Sequence, residues 1–328
     1  MKIIRLALLL ILLISTNLMA SEYSIPLDAH YHYNLTTDQI DGNIAEECNP
    51  SHCEPDLTYK DFLASREVKT ALLISDSYNF DKNNFDDKEN GEEDIHPLYR
   101  YTNKESLIPI VDKRVSQITQ DYPDRFIGIC GLNYGWEIKD AIKRVQYCLS
   151  LPGMKGIKLH SYPSKDQIFL KEKKAKSLIV NSFESIKEKS PIILWHIFHN
   201  NNLHCEKDSP SNCGREEIDF LFKMANQYKN FTFIIAHSMY SVKAIDYLIN
   251  LEKEQGKRKN IYLETSEANS NESLGKAWVR FGLDRILYGS DTFHWSRADF
   301  HNKSGLNKAQ IKQIEQTNGK VFLEKFKS

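Results

Sequence analysis

Short apolar runs recur along the 328-residue chain, and between them the apolar positions change to spacings of three and four. Eight runs read as strands: Ile25–Ala29, Ala71–Ser75, Phe126–Cys130, Gly156–His160, Ile192–His196, Phe231–Ala236, Ile261–Glu264 and Ile286–Gly289. Helical patterns fill the gaps, among them Glu137–Leu149, Lys171–Lys189, Glu216–Tyr228, Ser241–Leu251 and Asn307–Phe326, the last with Asn307 as its N-cap. Strands alternating with helices predict an α/β fold with parallel strands and the helices outside. Eight such units in roughly 300 residues fit a closed (β/α)8 barrel better than an open sheet.

Four connections are longer than the roughly two to six residues a strand-to-helix loop needs. They are Tyr33–Leu57, Asp76–Lys104, Ile197–Gly214 and Thr292–Leu306. All follow strands, so all belong to the C-terminal face, where barrel active sites are built. The acidic stretch Asp81–Asp94 reads as a solvated rim or lid.

Polar residues of one kind sit where the apolar runs end: Asp28, His30 and His32, then Lys158 and His160, then His196, His237 and Asp291. Singly, each histidine reads best as a core imidazole with a hydrogen-bond partner. Alternate residues of a strand share a face, so Asp28, His30 and His32 are expected in phase, pointing into the barrel mouth. Imidazoles and a carboxylate delivered from separate strand ends form a divalent-metal site, with His30, His32, His196 and Asp291 as ligands. One ion, zinc by choice of ligands, would lower the pKa of a bound water to roughly 7. Asp291 is then placed to take the water's proton, and His237 to polarise a carbonyl or relay a proton. Asp28 orients a ligand imidazole or is a buried structural carboxylate. Arg297 suits a carboxylate as a bidentate clamp, with an exposed loop residue or helix cap as its bland alternative. Tyr162, His199, His204, His294 and Trp295 carry the same two readings, while Trp136 reads as packing and His52 as surface.

A net charge of −1 favours neither nucleic acid nor an anionic membrane as partner, and leaves a small molecule. The first 20 residues stand apart: a basic start, an apolar run from Leu6 to Ile14, and a small polar stretch to Ala20. That is the layout of a cleaved secretory signal, too short to span a bilayer, followed by one domain over 21–328. Export to the periplasm or beyond follows, with no stable membrane anchor after cleavage; a homodimer is open. Export permits disulfides among the six cysteines. Cys48 with Cys53, and Cys205 with Cys213, suit local bridges, whereas Cys130 and Cys148 read as buried reduced thiols in preference to a bridge.

Asp28-Ala-His30-Tyr-His32, Gly-Ile-Lys158-Leu-His160, Trp-His196, Ala-His237-Ser and Leu-Tyr-Gly289-Ser-Asp291 resemble the amidohydrolase superfamily. They look most like its amidohydrolase-related branch, which includes carboxymuconate-semialdehyde decarboxylase and related decarboxylases, hydratases and lactonases. The likeness runs from Leu27 to Phe322, and Asn318-Gly-Lys-Val-Phe322 resembles the family's closing segment. It implies a distorted (β/α)8 TIM barrel with one zinc or similar ion on His30, His32, His196 and Asp291, and His237 as the catalytic histidine. Ser238-Met-Tyr240 replaces the family's usual Gly-Gly, and Thr292-Phe-His294 its usual Trp-Pro. Two-metal members carboxylate a strand 4 lysine, which makes Lys158 the candidate for a binuclear site. Otherwise His160 contacts substrate and Lys158 offers charge to a carboxylate.

The main expectation is an exported hydrolase of a small ester, lactone or amide. The alternatives are a decarboxylase or hydratase of a small unsaturated acid, and a barrel that binds metal or ligand without turnover.

Overall fold

The computed structural model describes residues 24–33, 59–65, 67–75, 108–133, 137–160, 173–197, 215–266, 272–291 and 297–326. The leader, the acidic stretch, Trp136 and the loops bearing Cys48, His52, Cys53, Tyr162, His199, His204, Cys205, Cys213, His294 and Trp295 lie outside these residues.

Each apolar run enters one sheet. β1 (Ile25–Tyr33), β2 (Val68–Ser75), β3 (Phe126–Asn133), β4 (Met154–His160), β5 (Ile192–His196), β6 (Thr232–Ile235), β7 (Ile261–Glu264) and β8 (Ile286–Leu287) pair in parallel in chain order. The sheet closes on itself where Ala29 N donates to Tyr288 O at 2.8 Å and Asp291 N donates to His30 O at 2.9 Å. The expected eight-stranded α/β barrel is the fold of the chain.

Around it run α1 (Tyr59–Ala64), α2 (Ile108–Asp121), α3 (Ile138–Cys148), α4 (Lys173–Ser185), α5 (Arg215–Gln227), α6 (Val242–Gln255), α7 (Glu272–Phe281) and α8 (Arg297–Lys303). No described helix is long and apolar enough to cross a membrane.

The core has two shells because strand side chains alternate. Leu27, Ala29, Leu72, Ile74, Ile192, Leu194, Ile234 and Leu287 fill the barrel, and Phe322 joins them from the C-terminal segment. Val68, Leu73, Ile157, Ile193, Trp195, Phe233 and Ile286 face outward into the helices, packed with Val145, Phe183, Leu221 and Trp278. Fully burying one such side chain contributes roughly 1.5–3 kcal/mol, so this double shell is the main source of stability.

The last segment starts as expected: Asn307 caps α9 (Lys308–Lys312) in a capping box, with Gln310 N donating to Asn307 Oδ1 at 3.0 Å and Asn307 N donating to Gln310 Oε1 at 2.9 Å. It is not one regular helix. A wider π turn, Gln313–Asn318, precedes α10 (Gly319–Glu324). The extra residue per turn lets Asn318 Nδ2 reach Leu283 O at 2.6 Å and Ile286 O at 2.7 Å, tying the segment to β8.

One expectation is overturned. Cys130 and Cys148 are joined in a disulfide and are not two reduced thiols. Strand β3 and the end of α3 bring their Cα atoms to 6.4 Å, within bridging distance, though 18 residues separate them.

Candidate metal centre

The mouth is shaped first by an irregularity in β1. Leu27 pairs with Thr70, Asp28 with Ala71 and then Tyr31 with Leu73, so one extra residue is bulged out between Asp28 and Tyr31. Leu27 and Ala29 face the barrel interior, whereas Tyr31 and Tyr33 pack outside it. The bulge therefore resets the phase: His30 and His32 point inward together, but Asp28 does not share their face. Asp28 holds the bulge instead. Its Oδ1 accepts from His30 N and Ser290 N, both at 3.0 Å, and its Oδ2 from Ser290 Oγ at 2.6 Å. That bracket ties β1 to the residues after β8, and burial pushes its pKa up to about 7.

Three ligand atoms converge above the barrel core. His30 Nε2 lies 2.9 Å from His32 Nε2 and 3.4 Å from Asp291 Oδ1, and His32 Nε2 lies 3.0 Å from the same oxygen. These atoms belong to one of the potential metal-holding groups of the described residues. Ligands at about 2.0–2.2 Å from one ion are separated by roughly 3 Å, so the set fits a divalent cation.

A carboxylate behind them fixes the tautomer. His30 Nδ1 lies 3.0 Å from Glu264 Oε1 and 3.2 Å from Ser266 Oγ, so it carries the proton and leaves the Nε2 lone pair facing the site. Glu264 Oε1 also accepts from His237 N at 2.6 Å and from Ser266 Oγ at 2.8 Å, and Oε2 accepts from Ser266 N at 2.6 Å. Burial raises its pKa, but these donors favour the ionised form. Gly289 is required beside it, because a Cβ there would collide with Glu264 Oε2.

Lys158 is buried in the same cluster, its Nζ 2.8 Å from His30 Nε2. The ammonium thus uses the lone pair that a metal would take. Burial, and secondly the Lys158 charge, hold His30 well below the usual imidazole range. Burial works to raise Asp291, yet the imidazoles of His30 and His32 hold it well below the carboxylate range.

His237 follows β6 in an unusual backbone. His237, Ser238, Met239 and Tyr240 all have positive φ, between 46° and 61°, a region disfavoured for residues with a Cβ. Tertiary contacts hold the turn. Ser238 Oγ donates to Glu264 O at 2.6 Å and accepts from Trp278 Nε1 at 2.9 Å, and Met239 is fully buried. Tyr240 stacks on the His237 ring with centroids 4.6 Å apart and planes 18° from parallel. Where the family resemblance implied glycines, this chain holds a left-handed turn with side chains. His237 Nδ1 lies 3.3 Å from Ser266 O, which directs its other nitrogen away from that carbonyl, and burial lowers its pKa to about 3.

His196 reaches the mouth from β5, its ring centroid 4.6 Å from that of His237 and 6.0 Å from that of Tyr240. The tight ligand group holds His30, His32 and Asp291, whereas His196 meets the site through the His237 ring. The backbone of His160 ends β4 beside His196.

Arg297 departs from expectation. Its guanidinium forms a fork on buried Glu315, Nε to Oε1 at 2.9 Å and Nη2 to Oε2 at 2.8 Å. That bidentate fork is filled within the fold, which corrects its placement as a substrate clamp.

Sequence reading passed over Glu264 and Ser266. The signal was present, since Glu264 ends the seventh apolar run as Asp291 follows the eighth.

An eight-stranded barrel with imidazoles and a carboxylate at the C-terminal ends of its strands is the architecture of metal-dependent barrel enzymes. No protein-family profile and no curated protein matches the chain. Solved structures do. An amidohydrolase II protein aligns with TM-score 0.60 at 17% identity, over 91% of this chain and 99% of its own. A 2,6-dihydroxybenzoate decarboxylase bound to 2,6-dihydroxybenzoate aligns with TM-score 0.56 at 13% identity, over 93% and 100%. A dihydroxybenzoic acid decarboxylase from a Polaromonas species, holding manganese and the inhibitor 2-nitroresorcinol, aligns with TM-score 0.54 at 14% identity, over 93% and 98%. What the chain shares with them at these identities is the fold.

Proposed function

We propose that the protein is a metal-dependent decarboxylase of a small aromatic or unsaturated carboxylic acid. The observation that carries this reading is Lys158, a cation buried beside His30, His32 and Asp291, where it supplies the counter-charge that a carboxylate substrate needs. Several structural neighbours are decarboxylases of hydroxybenzoic acids that align over nearly their whole length, which supports this reading over ester or amide hydrolysis.

His30, His32 and Asp291 would hold one divalent ion, with His196 as a fourth donor from β5. The nitrogen and oxygen donor set suits zinc or manganese. When bound, the ion supplies Lewis acidity that anchors and polarises the substrate's oxygens. The remaining chemistry belongs to the chain. Lys158 binds the carboxylate and orients it. His237, neutral over the physiological range, takes a proton from solvent water and delivers it to the carbon from which CO2 leaves, so that the bonding pair left on carbon is captured as C–H. Glu264 keeps His30 in the right tautomer and fixes the His237 backbone, coupling ligand to relay.

The test is CO2 release from 2,6-dihydroxybenzoate and related hydroxybenzoates by protein loaded with manganese or zinc, run beside an ester and lactone panel. His237→Ala should lower CO2 release by about 10²–10⁴-fold while metal content persists. Ester or lactone hydrolysis that depends on His237, without CO2 release from any acid, would establish the hydrolase reading instead. We propose further that the chain is exported and cleaved after Ala20, which N-terminal sequencing of the mature protein checks.

A further inference from the structure

We propose that the opposite end of the barrel, its floor, binds a compact oligo-anion of the phosphate class at a site independent of the mouth. A concave cavity of about 950 Å³ opens there. Among the described residues, seven cations line it and no carboxylate does. Lys155 enters from the start of β4, Lys189 and Lys229 from the turns into β5 and β6, the run Lys257-Arg258-Lys259 from the turn into β7, and Lys325 from the end of α10. The whole chain carries a net charge of −1, so this is segregation of charge and not a basic protein seen locally.

Helix polarity accounts for part of it. Helices α3, α4, α5 and α6 lead into β4 to β7, so their C-terminal ends face the floor, and each favours a nearby cation. The three consecutive cations before β7 and Lys325 exceed that need. Lys189 donates to Leu149 O at 3.2 Å and Lys325 to the Tyr262 hydroxyl. The side chains of Lys155, Lys229, Lys257 and Lys259 make no hydrogen bond or ion pair among the described residues.

The volume falls in the range of small-molecule sites, roughly 300–1,000 Å³. Six of the seven cations are lysines, point charges that approach phosphate oxygens from several directions without the planar fork that matches a carboxylate. Single-stranded nucleic acid needs free aromatic faces for stacking. Here Phe231 is fully buried and Phe326 packs on Phe322 with centroids 5.1 Å apart. A flat anionic bilayer cannot follow a concave wall.

The experiment is calorimetric titration of the full-length protein with sodium tripolyphosphate. Because tripolyphosphate chelates divalent metals, the titration is repeated on His30→Ala. The expected result is saturable binding that survives His30→Ala and weakens when salt is raised from about 50 to about 200 mM. It should weaken at least about tenfold in Lys155→Gln/Lys229→Gln/Lys257→Gln/Lys259→Gln, a variant whose thermal unfolding should match the parent. Absence of saturable binding overturns the proposal, as does binding that the fourfold variant keeps. Equal affinity for citrate would mean charge alone, without phosphate selectivity. Tighter binding of a single-stranded oligonucleotide or of anionic vesicles would replace the small anion with those partners.

Discussion

At the mouth of the barrel, His30, His32, Lys158, Asp291 and Glu264 each meet a partner within 3.4 Å. At the floor, the side chains of Lys155, Lys229, Lys257 and Lys259 meet none among the described residues. The mouth gathers both signs of charge, removes them from water, and holds each by a second group. The floor gathers one sign, leaves it solvated, and spreads it over separate turns. A buried charge without a partner costs several kcal/mol, so the charges of the mouth must be matched within it. Solvated lysines carry no such cost and can stay open to a ligand.

The difference is broken most decisively at Asp291. Asp291→Ala removes an oxygen that lies 3.0 Å from His32 Nε2 and 3.4 Å from His30 Nε2. It should abolish metal retention by elemental mass spectrometry and lower turnover by at least about a thousandfold. Metal content and activity equal to the parent would remove Asp291 from the site. A smaller effect is expected one layer back. Glu264→Gln keeps the shape but withdraws the charge behind His30 Nδ1, and metal affinity should fall by about 10–100-fold in a chelator competition. Tripolyphosphate binding at the floor should not change in either variant, which is what independence of the two ends requires.

Acid sensitivity separates the ends on a finer scale. Burial lowers the His237 pKa to about 3, from the ordinary imidazole value of about 6.5. Between these values the unfolded chain binds the extra proton, so this residue's contribution to stability is lost as pH falls below about 6.5. Urea unfolding of metal-free protein should therefore show a dependence on pH that is shallower in His237→Asn by about 1.4 kcal/mol per pH unit. Equal slopes in parent and variant would mean that His237 is not buried in the neutral form.

Much of this was legible beforehand, and the losses have physical causes. The bounds of β5 and β7 match the apolar runs because both strands are buried along their length and end at the mouth. β1 extends four residues past its apolar run, to Tyr33, because His30 and His32 continue the strand as polar residues. Its bulge is invisible to period-two counting, which assumes one residue per pleat and so put Asp28 in phase with the histidines. The turn at His237–Tyr240 has no signature in Ser-Met-Tyr, since its φ values are imposed by Glu264 and Trp278 from distant elements. The Cys130–Cys148 bridge needed a distance that spacing does not supply. The floor escaped notice because its cations are scattered from Lys155 to Lys325 in a chain of nearly zero net charge.

The smallest effect places one substitution at both ends. Ser190 on the floor and Ser238 at the mouth share the left-handed conformation, with φ of 49° and 46°. Glycine relieves that backbone strain by up to about 1 kcal/mol wherever the side chain contributes nothing else. Ser190 is exposed and, among the described residues, its Oγ accepts one bond, from Asn230 Nδ2 at 3.2 Å, so Ser190→Gly should raise stability by about 0.5 kcal/mol. Ser238 Oγ is buried between Glu264 O and Trp278 Nε1, and deleting it leaves a buried indole N–H without a partner, a loss of about 1–3 kcal/mol. Ser238→Gly should accordingly lower stability by about 1–2 kcal/mol net, measured by denaturant midpoint. Opposite signs from one substitution at matched φ would show that the mouth's strain is held in place by its hydrogen bonds. Two gains of equal size would show that the Ser238 contacts contribute nothing to holding the turn that presents His237.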